Sequence, residues 1–245
     1  MPGFFDVCTQ NTCTPFVLFG AQHLAALAVI VFVNVFLVIF GRKAGELGRR
    51  RIRLTIGWIL IVNEFGWHLW NLLTGQWTLG TMLPLHLCSA LVWLEGFMLI
   101  TGKGAKWIYE FAYLLGIAGA LQAILTPDLG LYNFPQYRYW QTFISHGLLV
   151  TAPIYLTLVE GYRPTWRSIL RVGLYGNAYM VVVYLINLLV GGNFLYIAHK
   201  PATASLMDVL PAWPWYIPII ELIALFAMLL MYTPFVIRDR VKAGK

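Results

Sequence analysis

Gly41 to Arg53 reads GRKAGELGRRRIR. Six of the chain's 17 Lys and Arg residues stand in these thirteen positions. An apolar run covering residues 16–40 precedes them and another, 54–74, follows. An apolar run of about 20 residues has the length of a transmembrane helix. A cationic block between two such runs reads as a cytoplasmic loop.

Working outward from this block, five more apolar runs appear, giving spans at about 16–40, 54–74, 82–100, 107–125, 139–159, 169–191 and 214–236. Lys and Arg fall on alternate sides of them. The first, third and fifth loops and the C-terminal tail hold fifteen. The N-terminal tail and the second loop hold none, and the fourth and sixth loops hold Arg138 and Lys200 alone. Only an odd number of crossings keeps that alternation. The positive-inside rule then sets the N-terminus outside and the C-terminus in the cytoplasm. The expected fold is all-α, a polytopic seven-transmembrane-helix bundle in the cell membrane. Residues 1–245 read as a single membrane domain, with no linker, low-complexity segment or strong repeat.

Composition agrees. The 245 residues are 60% hydrophobic and 11% charged, with mean hydropathy +0.72, against about 25% charged in a soluble domain. The first apolar run is too long for the core of a cleavable signal peptide, and no basic residue precedes it. The net charge of +7 faces anionic headgroups rather than nucleic acid, because nearly all the cations share one side. Membrane lipids are the expected partners, and no nucleic acid or protein partner is implied. Cys8 and Cys13 lie in the outside tail, where a disulfide can persist. They are either a local bridge or two free thiols.

Ionisable residues inside spans are costly and mark candidate sites. At a rise of about 1.5 Å per residue, Cys88, His146, Glu221 and His68 fall roughly 10 Å below the outer ends of their helices. Asn71, Gln122 and Asn187 fall slightly nearer the surface. The inner half holds little comparable beyond Glu110 and Asn177. A shared polar layer predicts a water-accessible pocket that opens outward. On the second span Glu64, His68 and Asn71 follow i, i+4, i+7 and form one stripe; such a stripe is either part of a site or an interhelical hydrogen-bond seam.

LPLHLCSA, residues 83–90, puts His86 two positions from Cys88. In a helix those side chains diverge, so each needs a neighbour from elsewhere, and the span must be central. Pro84 suits a first helical turn, which predicts a helix N-terminus about one turn above Cys88, favouring a thiolate. A free Cys is often only a small buried hydrophobe. As a nucleophile it requires a base, usually His. His146 in FISHGL has the depth for that role, and its alternative is a hydrogen-bonded core histidine. Metal chemistry is the rival: His68, His86, His146, Cys88 and Glu221 are admissible zinc ligands. No HExxH or paired CxxC accompanies them, so no metal and no cofactor is expected. The sixth loop, residues 191–216, predicts a partly folded outer lid. Ser205 and Asp208 there have capping-box spacing, and Asp128 and Arg138 of the fourth loop are placed to rim the same opening.

LPLHLCS, GALQAILTPDL, FISHGL, EGYRPTW and SLMDVLPAWPWY together resemble the YwaF family of bacterial integral membrane proteins, whose animal relatives are of the transmembrane protein 164 type. The resemblance runs from the second span to the seventh. It implies a bacterial cytoplasmic membrane protein and a Cys/His-dependent phospholipid acyltransferase, with the nucleophile at Cys88 and the histidine at His146. The expectation is therefore a lipid acyltransferase or acyl hydrolase acting in an outward-facing pocket. His68, His86, Asn71, Gln122, Asn187, Glu221 and Glu64 are its supporting candidates. A transporter or sensor binding a small polar ligand at the same site, or a zinc-dependent membrane hydrolase, are the alternatives.

Overall fold

Helix is the only regular structure among the residues described by the computed structural model, 3–201 and 206–244. A bilayer demands this of a chain that crosses it as a bundle, because hydrocarbon offers no partner to a free N–H or C=O. The elements are α1 (Ala21–Lys43), α2 (Glu46–Leu73), a single turn α3 (Leu79–Met82) and α4 (Leu87–Thr101). Then come α5 (Ala105–Phe111), a π turn (Ala112–Gly116) and α6 (Ile117–Leu125), followed by α7 (Tyr137–Leu158), α8 (Trp166–Val190) and α9 (Tyr216–Ala243).

Each expected span coincides with a helical run. Four of these, Ala21–Lys43, Ala105–Leu125, Trp166–Val190 and Tyr216–Ala243, are long and apolar enough to cross a membrane. The protein is thus a helical membrane protein. The other three differ for visible reasons. α2 has 28 residues, but its first two turns carry Arg49, Arg50, Arg51 and Arg53. α4 has 15 residues, about 22 Å, which is short of a ~30 Å hydrocarbon core. α7 carries a row of polar side chains.

Two helix starts differ from expectation. α2 begins at Glu46 instead of 54, so most of the cationic block is helix and only Ala44 and Gly45 connect α1 to α2. The arginines have work there. Arg49 Nε donates to the Gly41 and Ala44 carbonyls at 3.1 and 3.2 Å, satisfying oxygens that the end of α1 leaves open. α4 begins at Leu87 instead of 82. Pro84 holds Leu83 out of the helical region, and Leu83 and His86 are both extended (φ −62°, ψ 140° and φ −66°, ψ 148°). Residues 83–86 therefore break what was expected as one span. At the far end Gly102, at φ 71°, closes α4 in a left-handed cap, a conformation that favours glycine.

α4 sits in the middle, packed on α2, the π turn, α6 and α7. α2 and α4 approach closely where two glycines meet: a Cβ on Gly57 would lie 3.1 Å from the Gly96 carbonyl, and one on Gly96 3.3 Å from the Gly57 carbonyl. Small residues permit such close helix pairs in membranes. Ion pairs gather at the basic end. Arg53 holds Glu160 at 2.6 and 2.7 Å, Arg163 pairs with Asp239, and Arg171 with Ser168 binds the buried Glu110.

At the opposite end Cys8 and Cys13 form a disulfide. The tail that carries it is tied down: Tyr137 N–H and Trp70 Nε1–H donate to the Phe4 and Phe5 carbonyls. The sixth loop is partly folded. It has 3₁₀ turns at Phe194–Tyr196 and Leu206–Val209, and Trp213 Nε1–H and Lys200 Nζ donate to the Ile197 and Leu210 carbonyls. Ser205 of the expected capping box lies outside the described residues.

Candidate active site

A cavity of about 310 Å³ lies beneath that opposite end, between α2, α4, α6 and α7. α4 contributes Cys88, Ser89 and Val92. Because α4 starts at Leu87, Cys88 occupies the first turn, not a position one turn lower. No side chain caps this start. The N–H groups of Leu87, Cys88 and Ser89 thus head the helix without an intrahelical acceptor, and its positive end lies at the cysteine. α6 leaves room beside the sulfur: a Cβ on Gly119 would lie 3.8 Å from Cys88 Sγ.

α7 supplies Arg138, Gln141, Thr142, Ser145 and His146. Their spacing of three and four residues puts them on one helix face. His146 Nδ1 lies 2.9 Å from the Thr142 carbonyl. A carbonyl only accepts, so Nδ1 carries the ring proton and neutral His146 keeps an unprotonated Nε2.

α2 adds Glu64 and Trp67. His68 stands one turn above Glu64, with Nε2 3.8 Å from Oε1. Trp77 Nε1–H donates to His68 Nδ1 at 3.1 Å, so Nε2 bears the proton that faces the carboxylate. The rim is made by Asp128, Arg138 and Tyr196, the first two as the sequence led us to expect.

Cys88 and His146, from two helices 58 positions apart, therefore line one cavity with Glu64. Six further candidates do not line it: His68, which stands behind Glu64, and five others. His86 is the N-cap of α4 and accepts the Leu195 N–H at its Nδ1, 3.3 Å away, with the Tyr196 ring beside it. Asn187 grips the same segment, accepting from Phe194 N and donating to Phe194 O. Together they hold Leu195 and Tyr196 in left-handed conformations, φ 60° and 53°, which side chains other than glycine's rarely adopt. Asn71 is buried and donates to the Trp67 carbonyl. Gln122 is exposed. Glu221 lines a separate cleft between α8 and α9, as does Asn177. Depth placed these residues at a common level, but depth carries no information about direction around the helix axis.

Sequence reasoning passed over Trp67, Ser89, Gln141, Thr142, Ser145 and Tyr196. For three of them a signal was present: Gln141, Thr142 and Ser145 form a helical stripe with Arg138 and His146 in an otherwise apolar segment. Tyr196 belongs to an irregular strap and has no such pattern. Among the described residues no three His, Cys, Asp or Glu side chains cluster to hold a metal ion, so the zinc alternative has no donor set there.

A family model for the TMEM164 family matches residues 18–232. The chain belongs to the TMEM164 family. No curated protein and no solved structure matches it. The match to the TMEM164 family spans every residue that lines the cavity and leaves out Cys8 and Cys13.

Proposed function

We propose that this protein is a membrane-embedded acyltransferase or acyl hydrolase that acts on a lipid ester, with Cys88 as nucleophile and His146 as base. One observation carries the reading: the only free cysteine among the described residues shares a cavity with a histidine whose Nε2 is left as a proton acceptor. Membership of the TMEM164 family and the YwaF-type motifs support it. The basic-residue pattern supports seven crossings with the N-terminus outside, so that the cavity opens outward from a bacterial cytoplasmic membrane.

The chemistry follows from the donors. His146 Nε2 takes the thiol proton as Cys88 Sγ attacks the ester carbonyl. The carbon–sulfur bond forms, the ester carbon–oxygen bond breaks, and the imidazolium returns its proton to the departing alcohol. An acceptor hydroxyl, or water, then gives its proton to His146 and attacks the thioester, releasing the thiol. The oxyanion of each step is met by the uncapped N–H groups at the start of α4 and by the Gln141 amide. The supporting candidates Gln122, Asn71, Asn187 and His86 do not line the cavity. Glu64 lies at the cavity wall with His68 behind it.

The test is a trapped intermediate. Purified protein incubated with acyl-labelled lipid is expected to acquire a hydroxylamine-sensitive label, absent in Cys88→Ala. Label on Cys88→Ala equal to wild type, or no label on the wild type with any lipid class, would overturn the assignment.

A further inference from the structure

Arg138 is not used by the acyl-transfer step. It stands in the first turn of α7, two turns above His146 on the same face, about 12 Å along the axis. Its guanidinium lies over the Trp67 ring at 5.2 Å and the Tyr132 ring at 5.3 Å. Planar stacking of this kind pre-organises the fork of N–H groups. One Nη2–H donates to the Asp128 carbonyl at 3.3 Å. The remaining N–H groups have no acceptor among the described residues, and the side chain lines the cavity. Arg138 is also the one permanent cation among the described lining residues.

We propose that Arg138 binds the phosphodiester of a phospholipid whose acyl ester lies against Cys88. A held guanidinium with unused donors is suited to bidentate phosphate recognition, and the N-terminal end of α7 adds partial positive charge at that level. The neighbours select among anions. Asp128 lines the same cavity, and a carboxylate there repels a free phosphate dianion more strongly than a singly charged phosphodiester. The chemical role of the lipid rests on the acyl-transfer reading above; the phosphate site does not.

The experiment measures binding without turnover. In a Cys88→Ala background, half-saturation is determined for labelled dioctanoylphosphatidylcholine and for dioctanoylglycerol, which lacks the phosphate. Arg138→Gln is expected to weaken the phospholipid about ten- to a hundredfold while the neutral lipid shifts little, so their ratio collapses. Arg138→Lys, a point charge without the fork, is expected to fall between. Inorganic phosphate at millimolar concentration is expected not to displace the phospholipid. Equal weakening of both lipids would mean that Arg138 only braces the Asp128 loop and would overturn the proposal, as would an unchanged ratio, binding of neither lipid, or displacement by inorganic phosphate. A thioester that never forms, with the Arg138-dependent ratio intact, would remove the acyl chemistry and leave the phosphate site standing.

Discussion

α7 separates two voids of opposite character. One face lines the cavity of about 310 Å³ that holds Cys88 and His146. The other face, with α1, lines a groove of about 630 Å³ walled by residues such as Val29, Ile30, Phe143, Ile144 and Leu148. The groove is larger, but its wall is almost wholly apolar, and several polar groups at it bond within the protein. Tyr139 Oη–H donates to the Gln22 carbonyl, Thr151 Oγ1–H donates to the Gly147 carbonyl, and Asn34 Nδ2–H donates to Thr151 Oγ1. In the cavity the Gln141 amide and the Ser145 and Ser89 hydroxyls line the wall without a side-chain hydrogen-bond partner among the described residues. Volume alone would pick the groove. The polar lining picks the cavity, because side-chain donors and acceptors that face an open space are free to bind water or a ligand. The groove is suited to lipid chains, the cavity to a polar reacting group.

The comparison is broken most severely on the polar face. His146→Ala is expected to slow acylation of Cys88 by about 10²–10⁴-fold, the range for loss of a general base. Single-turnover labelling checks it; a rate within a few-fold of wild type would leave His146 as a hydrogen-bonded core residue. Gln141→Leu comes next. It keeps the helix and removes an amide from the cavity wall, and loss of one oxyanion donor costs about 10²–10³-fold. The same labelling assay reads it, and an unchanged rate would transfer the role to the α4 N–H groups alone.

The contrast between the two faces also shows what could be read beforehand. Seven helical runs were legible because apolar length and the alternation of Lys and Arg are one-dimensional signals. The polar face of α7 was legible in principle, from the spacing of Arg138, Gln141, Ser145 and His146. The start of α4 was not. Pro84 fits either a first helical turn or an extended lead-in, and packing of residues 83–86 beneath the Phe194–Tyr196 strap selects the second. That choice moved Cys88 into the first turn. Glu221 shares the depth of Cys88 by residue count and Asn187 lies slightly nearer the surface, but the angle around each axis depends on which neighbour the helix meets. Nothing in the sequence paired Glu110 of the inner half with Arg171 and Ser168, which reach it from α8.

On the apolar face the expected effects turn from rate to stability. Gly147 follows His146 in sequence but faces α1, where a Cβ would lie 3.0 Å from Ile30 Cγ1. Gly147→Val overfills that contact, at a cost of about 1–3 kcal/mol. Thermal unfolding in detergent is expected at a lower temperature than wild type. An unaltered unfolding temperature would mean that α1 moves aside freely, and that the groove is wider in the membrane.

The smallest effect is expected at Ile144, and it tests the division most directly. Ile144 is two residues from His146 and next to Ser145, but its side chain lines the groove and is 36% exposed. Ile144→Ala removes apolar surface that lipid chains cover, not surface buried between helices. In a membrane that surface gains little from packing on protein over packing on lipid, since both are apolar. Acylation of Cys88 is therefore expected to stay within about twofold of wild type, because no interaction specific to the transition state is lost. A tenfold fall in the labelling rate would show that an acyl chain must lie in the groove for its ester to reach Cys88. α7 would then be the floor of a single bent site, and the two voids would work as one.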